Sequence, residues 1–401
     1  MPKLGIMLFL ILGLKIEMDE KIIIFTTTLK KNTSIWKFYS NIFRNMPKEI
    51  KIEIIPVRDL KTQSIVAKGI FKILSLFRVA DFIRGAQCAC KIGYNQYSIV
   101  INDNLQGWFA YKLIKKNENP KKLTIIRASA ITSLRNLTTY GGLFGYLVGY
   151  LFYGFLLNFF ERIAVELADR IVVVSRESYR NLREYYKISH EKIRIVRNAV
   201  ELKKFFLLSK AEARKTLGLD TKKFYLLYVG RFTLEKGCKI IIELMKKLEK
   251  LYDDLELIVI GEVKYKEKLP RNIRILGEME NEKLILWYNA ADLLIFPSLF
   301  EGDSLVCLEA AASGCPIVGS CTGGLWELKR VSRWSKRFII DIAPPNKVLN
   351  KYIEAIRELR ENRKVYKKMR FEFLKWGRKK DIMENSKIYT EIINELLNTV
   401  Q

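Results

Sequence analysis

LLIFPSLFEGDSLVCLEAAASGCPIVGS, residues 293–320, holds one complete structural unit in miniature. LLIF (293–296) and PIVGS (316–320) are short apolar runs of the kind that form strands buried on both faces. SLFEGD between them is a loop. A helix is predicted from Ser304, a suitable N-cap, to a terminating Gly314. Strand, loop, helix, strand is the repeating unit of a parallel α/β sheet. Between Asp303 and Glu327 only Glu309 carries a charge. It lies in an apolar helix, and a buried carboxylate is costly unless something pairs with it.

The same alternation extends in both directions. IIIF (22–25), IEII (52–55), SIVI (98–101), LTII (123–126) and RIVVVS (170–175) form a first series of predicted strands. YLLYVG (225–230), ELIVIG (256–261), IRIL (273–276), LLIF and PIVGS form a second. Helical patterns such as KIIIELMKKLEKLY and NEKLILWYNA lie between them. Two series predict two doubly wound, Rossmann-like α/β domains facing a central cleft. The break follows IRIVRNAV, with a linker at 199–210. ELKKFFLLSKAEARKTLGL reads as polar and helical, and IYTEIINELL as a final amphipathic helix. Ligands of such sheets bind beyond the carboxyl ends of the strands.

The chain has 401 residues, enough for two or three domains. Its formal charge of +27 admits anionic membrane, nucleic acid or phosphorylated ligands as partners, or reflects a general bias to Lys and Ile. The single histidine, His190, nearly excludes chemistry built on histidine triads or histidine metal ligands. No Asp-x-Asp pair occurs, which argues against a metal-bridged diphosphate. The six cysteines form no CxxC, as expected of a reducing compartment without structural zinc.

Two groups of residues carry candidate chemistry. In YVGRFTLEKGCKIII, a strand ends at Gly230, Arg231 and Lys236 follow, and a helix is predicted from near Lys236. A helix start with two adjacent cations suits a diphosphate, since Arg binds phosphate as a fork and Lys as a point charge. Equally, both are ordinary solvated cations. Glu301 lies in the loop beyond its strand, and Glu309 a turn inside the helix. Such acids accept hydrogen bonds from ribose hydroxyls in dinucleotide sites. The alternative is a Glu paired with a nearby Arg or backbone N–H.

Taken together, the R-x4-K pair, Glu301 and Glu309 with seven residues between them, and the Gly323-Gly324 turn resemble the family 4 glycosyltransferases of the GT-B fold, with their E-x7-E motif. The resemblance covers nearly all of 18–400 and is strongest over 160–200 and 225–330. It implies a metal-independent retaining transferase with no cofactor and a nucleotide-diphosphate sugar as co-substrate. Residues 1–198 would be the acceptor-binding domain, 199–375 the donor-binding domain, and 376–401 a helix packing back on the first. Arg231 and Lys236 would hold the diphosphate, Glu301 and the Gly302-Asp303-Ser304-Leu305 backbone the donor sugar, and Glu309 the ribose. Gly230 would line the same site. Arg231, Lys236 and Glu301 would be the catalytic set.

Three departures stand out. Gly302-Asp303-Ser304 replaces the usual Gly-Phe-Gly, and Asp303 either recognises a sugar group or faces solvent. TTTLKKNTS (26–34) lacks the glycine pair many members have. Arg127-Ala128-Ser129 stands where many have His. Arg127 either serves the acceptor side, by binding a phosphate or by substituting electrostatically for the His, or pairs with a carboxylate, and Asp103 and Asn104 join it as acceptor-side candidates.

Residues 136–160 carry no charge, but the predicted strands before and after them should belong to one sheet, which argues against a single bilayer crossing. The segment is a buried helix or dips into one leaflet, where its four tyrosines would settle. Residues 67–84 read as a basic amphipathic helix, either on an anionic membrane or as an ordinary solvated edge. RKVYKKMRFEFLKWGRKK (363–380) adds positive charge. Residues 1–17 are a short anchor or a misassigned start. The expectation is a cytoplasmic protein in peripheral contact with anionic membrane, taking a lipid-linked or cell-surface glycan as acceptor and no nucleic acid. The alternatives are a transferase making a soluble glycoside or glucan, and a non-catalytic basic binding protein on a degenerate version of the fold.

Overall fold

Strands such as Ile22–Phe25 are apolar at every position because both faces of a parallel sheet are covered. The computed structural model describes residues 21–26, 51–56, 89–103, 108–114, 120–127, 130, 155–263, 268–299 and 301–398. The readings made above for residues 1–17, 27–34, 67–84, Asn104, Ala128-Ser129 and 136–154 lie outside them. The described residues fall into two units that meet in sequence at Arg197 and Asn198 and again at Ile382 and Met383.

The first unit contains β1 (Lys21–Thr26), β2 (Lys51–Pro56), β3 (Ile99–Asp103), α1 (Trp108–Leu113), β4 (Lys121–Ile126), α2 (Phe155–Leu167), β5 (Arg170–Val173), α3 (Arg176–Tyr185) and β6 (Ile193–Ile195). All pairings are parallel, in the order β2-β1-β3-β4-β5-β6. The pleat divides the strands' apolar residues between two cores. Ile23, Phe25, Val100 and Val173 face α1, α2 and α3 through Tyr111, Ala164, Val165 and Leu182. Ile22, Ile24, Ile99 and Val172 face the other way, and the chain's final helix covers them with Tyr389, Ile392, Ile393 and Leu396.

The second unit contains α4 (Lys210–Thr216), β7 (Phe224–Val229), α5 (Cys238–Leu248), β8 (Leu255–Ile260), β9 (Ile273–Gly277), α6 (Leu284–Ala290), β10 (Leu293–Phe296), α7 (Leu305–Ala312), β11 (Ile317–Ser320), α8 (Gly323–Val331), β12 (Ile339–Ile340), α9 (Pro345–Glu361) and α10 (Arg363–Arg378). Its sheet is also parallel, in the order β12-β11-β10-β7-β8-β9. The chain runs outward from β7 to β9, then returns to β10 on the other side of β7. That reversal puts a topological switch point between β7 and β10, where ligands of doubly wound sheets bind. The last helix, α11 (Ile382–Asn398), returns to the first unit.

Two details differ from the sequence reading. Residues 201–219 form one short helix, α4, capped by Ser209, because Phe205 is drawn into the core and turns precede it. β12 is an added edge strand of two residues, too short to show a period. No described helix is long and apolar enough to cross a membrane. The described end of the uncharged 136–160 segment is the start of α2, where Phe160 packs on Trp108 at 4.6 Å between ring centres.

Candidate active site

The loop after β7 is shaped by close backbone approaches. Gly261 packs so tightly that a Cβ there would lie 2.1 Å from the Gly230 carbonyl oxygen. Gly230 N–H in turn donates to Ile260 O at 2.9 Å. Arg231 follows, half-exposed, with its guanidinium donating to Glu235 at 2.7 Å. Lys236 closes a single 3-10 turn, Leu234–Lys236, and α5 begins only at Cys238. The predicted helix start at Lys236 is therefore two residues early. The cause is Gly237, whose left-handed φ of 81° breaks the path. A Cβ there would meet Pro297 O at 2.2 Å, so only glycine lets this loop lie against the end of β10.

That approach joins the two halves of the site. Lys236 Nζ donates to Glu301 Oε1, and Ser298 Oγ donates to the same oxygen at 3.2 Å. Leu299 N–H reaches Glu235 O at 3.1 Å. Tyr228, near the end of β7, donates its hydroxyl to Arg231 O at 2.7 Å. Burial first, and the Glu301 carboxylate second, push the Tyr228 phenol above its ordinary range, so it stays a donor. Arg231 and Lys236 of one loop and Glu301, 65 positions after Lys236, thus form one partly exposed cluster at the switch point.

Behind the cluster lies α7, eight residues long, capped by Ser304 Oγ accepting from Cys307 N–H at 3.4 Å. Glu309 is buried on it and accepts from the Tyr288 hydroxyl at 3.0 Å. Burial, then the Glu309 charge, raises the Tyr288 phenol well above its usual range. Tyr288 is the partner that a lone carboxylate in an apolar helix requires. Leu305 opens α7, and Gly302 lies directly against the glycine turn at α8. A Cβ on Gly323 would fall 2.2 Å from Gly302 O.

Asp303 does not face solvent. It is buried, its Oδ2 accepts the Asn198 N–H at 3.1 Å, and Asn198 Nδ2 donates back to the Asp303 carbonyl. Oδ1 lies where a Cβ on Gly324 would approach to 2.3 Å, so a glycine seats the carboxylate against the first turn of α8. Negative charge is favourable at that helix end. Asp303 therefore ties the start of the second unit to the Glu301 loop.

In the first unit, Asp103 ends β3 fully buried, and Arg127 follows β4. Arg127 grips it as a fork, at 2.8 and 3.1 Å, and Thr26 Oγ1 donates to it at 2.8 Å. Of the two roles open to Arg127, the structure shows the carboxylate pair. Sequence reading overlooked Tyr228, Tyr288, Ser298 and Asn198. The first two look like core aromatics, and nothing local marks the others.

The chain is also similar to known proteins. Residues 209–372 match the family described as Glycosyl transferases group 1, and residues 122–204 match Glycosyltransferase Family 4. A D-inositol 3-phosphate glycosyltransferase of Segniliparus rotundus is 32% identical over 171 residues, 39% of this chain and 38% of that protein. The chain thus matches well under half the length of the curated relatives. Sucrose-phosphate synthase of Thermosynechococcus elongatus superimposes with a TM-score of 0.71 at 16% identity, covering 95% of this chain and all of that one. An Anabaena protein, HepE, solved in complex with UDP-glucose, superimposes with a TM-score of 0.64 at 14% identity, covering 94% and 99%. These likenesses show the GT-B fold.

Proposed function

We propose, from the premise that this chain belongs to the family 4 glycosyltransferases, that it moves a sugar from a nucleoside-diphosphate donor to a lipid-linked or cell-surface glycan, with retention and without a metal ion. The observation that carries the reading is the Arg231–Lys236–Glu301 cluster between the ends of β7 and β10. Breaking a sugar–phosphate bond builds negative charge on the departing diphosphate. Two fixed cations stabilise that charge where it develops. The neighbour solved with UDP-glucose supports a donor of this class.

Both cations are held by carboxylates, Arg231 by Glu235 and Lys236 by Glu301. A diphosphate would replace them as the acceptor. Arg231 gives it two parallel hydrogen bonds, and Lys236 a point charge. Glu301, released from Lys236 but still held by Ser298, then accepts from a sugar hydroxyl. Glu309 accepts from the ribose with its second oxygen while Tyr288 anchors the first. Arg127 and Asp103, locked together, would shape the floor of the acceptor side in the first unit.

A thermal-shift series against nucleoside diphosphates and nucleotide sugars tests this. A ligand at a hundred times its Kd stabilises the fold that binds it by about 2.7 kcal/mol. The expected result is a clear rise in melting temperature with one base, abolished in Glu309→Ala and reduced but present in Tyr288→Phe, which removes only the anchoring hydroxyl. A chain whose melting no nucleoside diphosphate moves is not this enzyme.

A further inference from the structure

Beyond the site, one face of the second unit has a single sign. Along α10, Lys364, Lys368, Phe371, Lys375 and Arg378 fall within a stripe about 80° wide, and all are exposed. Phe371 stands 65% exposed in the middle of the cations. The turn after α8 lies beside this stripe, joined by a hydrogen bond from Ser332 to Glu372. It adds Trp334, whose ring lies 4.1 Å beneath the Lys368 ammonium, and Val331, 78% exposed.

A general excess of lysine does not explain this face. The exposed positions of α9 mix Lys347 and Lys351 with Glu354 and Glu361, and those of α11 mix Lys387 with Glu384 and Glu391. On α10, no acid falls within the stripe. The helix is also rigidly backed. Val365, Met369 and Phe373 are buried, and a Cβ on Gly377 would come within 2.5 Å of the Ala312 nitrogen, so α10 presses directly on α7, the Glu309 helix.

We propose that this face of α10, with the Val331–Trp334 turn, docks on an anionic lipid surface. Cations around a protruding phenylalanine match a negatively charged interface with an apolar layer beneath it. The lysine stems snorkel while Phe371 and Val331 enter the headgroup boundary, and Trp334 takes the interfacial level that indoles prefer. Nucleic acid is the weaker fit, because the exposed Phe371 among the cations and Val331 beside them have no use against phosphate. The inference rests on the transferase reading for its purpose, since an enzyme with a membrane-linked acceptor must reach it, but not for its chemistry.

The test is co-sedimentation of the full chain with vesicles of phosphatidylcholine, with and without phosphatidylglycerol. Each lysine at such a surface contributes about a fivefold gain in partitioning. The chain should bind only the anionic vesicles and release in high salt. Lys364→Glu, Lys368→Glu and Lys375→Glu together should weaken binding on the order of a hundredfold. Phe371→Ser should weaken it several-fold with less effect on the salt dependence. All these side chains are exposed, so the nucleoside-diphosphate thermal shift should be intact in the variants, which separates this surface from the donor site. Sugar transfer that fails while vesicle binding persists would count against the transferase reading alone. Vesicle binding unchanged in the triple variant, or wild-type binding to a short RNA or DNA duplex in place of vesicles, would overturn the docking face.

Discussion

Lys236→Ala is expected to slow sugar transfer by roughly 100- to 1,000-fold, the usual cost of removing one preorganised group that stabilises developing negative charge. The loss should fall mainly on kcat. On the proposed mechanism Arg231 would still bind the diphosphate in the ground state, whereas Lys236 would matter most once the bond to the sugar lengthens and charge collects on the phosphate. Lys236→Arg should recover only part of the rate, because a planar fork does not replace a point charge in a turn this tight. The fold should tolerate the alanine. The loop is held by main-chain bonds, Cys238 N–H to Thr233 O and Leu299 N–H to Glu235 O, and by the seat of Gly237 on Pro297. Glu301 keeps Ser298 and some contact with water. Single-turnover release of nucleoside diphosphate gives the rate directly. A variant as fast as the parent would remove Lys236 from the chemistry and leave the cluster as a surface ion pair.

The parts of this site differ in how far sequence betrays them. The strands were legible because burial on both faces leaves no polar residue in the run, as in LLIF or IIIF. The Arg231–Lys236 and Glu301–Glu309 spacings were legible because the first lies within one loop and the second within one loop and the helix that follows it. What brings the two pairs together is not local. It is the reversal of strand order around β7 and the contact of Gly237 with Pro297, and neither has a sequence period. Tyr228 and Tyr288 hide for a related reason. Each sits among apolar neighbours and reads as core, and only the coordinates show a hydroxyl aimed at Arg231 O or at Glu309. Asp303 was open between sugar and solvent because its partner, Asn198, is 105 positions away. Arg127 was open because a cation after a strand suits a phosphate as well as a carboxylate, and the choice depends on Asp103 one strand over. β12, at two residues, carries no pattern at all.

The opposite ends of β7 and β10 hold a second charged cluster, and its removal should affect stability rather than chemistry. Asp292, just before β10, accepts from Arg214 at 2.6 Å, from Lys210 at 2.7 Å and from the Tyr225 N–H at 2.7 Å. Lys210 also donates to Tyr366 of α10 at 2.8 Å, and Tyr366 donates to Asp292 O at 3.2 Å. Asp292 therefore ties α4 and β7 to β10 through its carboxylate, and α10 through its carbonyl and Lys210. Burial alone would lower the Lys210 pKa, but Tyr366 and Asp292 outweigh it and leave the ammonium raised. Asp292→Ala removes the carboxylate from two largely buried cations, leaving Arg214 its backbone acceptors Ala290 O, Thr221 O and Lys223 O and leaving Lys210 the Tyr366 hydroxyl named above. Breaking such a pair from one side costs roughly 3–5 kcal/mol, taken here at about 3 because Lys210 keeps some exposure. For a unit of this size that is a fall in melting temperature of roughly 6–12 °C. Asp292→Asn keeps an acceptor for Tyr225 but not the charge, so it should recover only part. The sign of the pH dependence follows from the raised Lys210. The parent's gain is complete at neutral pH and is lost as pH rises through the folded value. In the alanine variant Lys210 titrates lower and sheds its uncompensated charge sooner. The deficit should therefore narrow above about pH 10. Nucleoside-diphosphate affinity, measured well below the lowered midpoint, should be unchanged, because the donor cluster lies at the other end of the same strands. A variant that melts with the parent would mean that water and Tyr366 already neutralise these cations and that the clamp is not what joins the four elements.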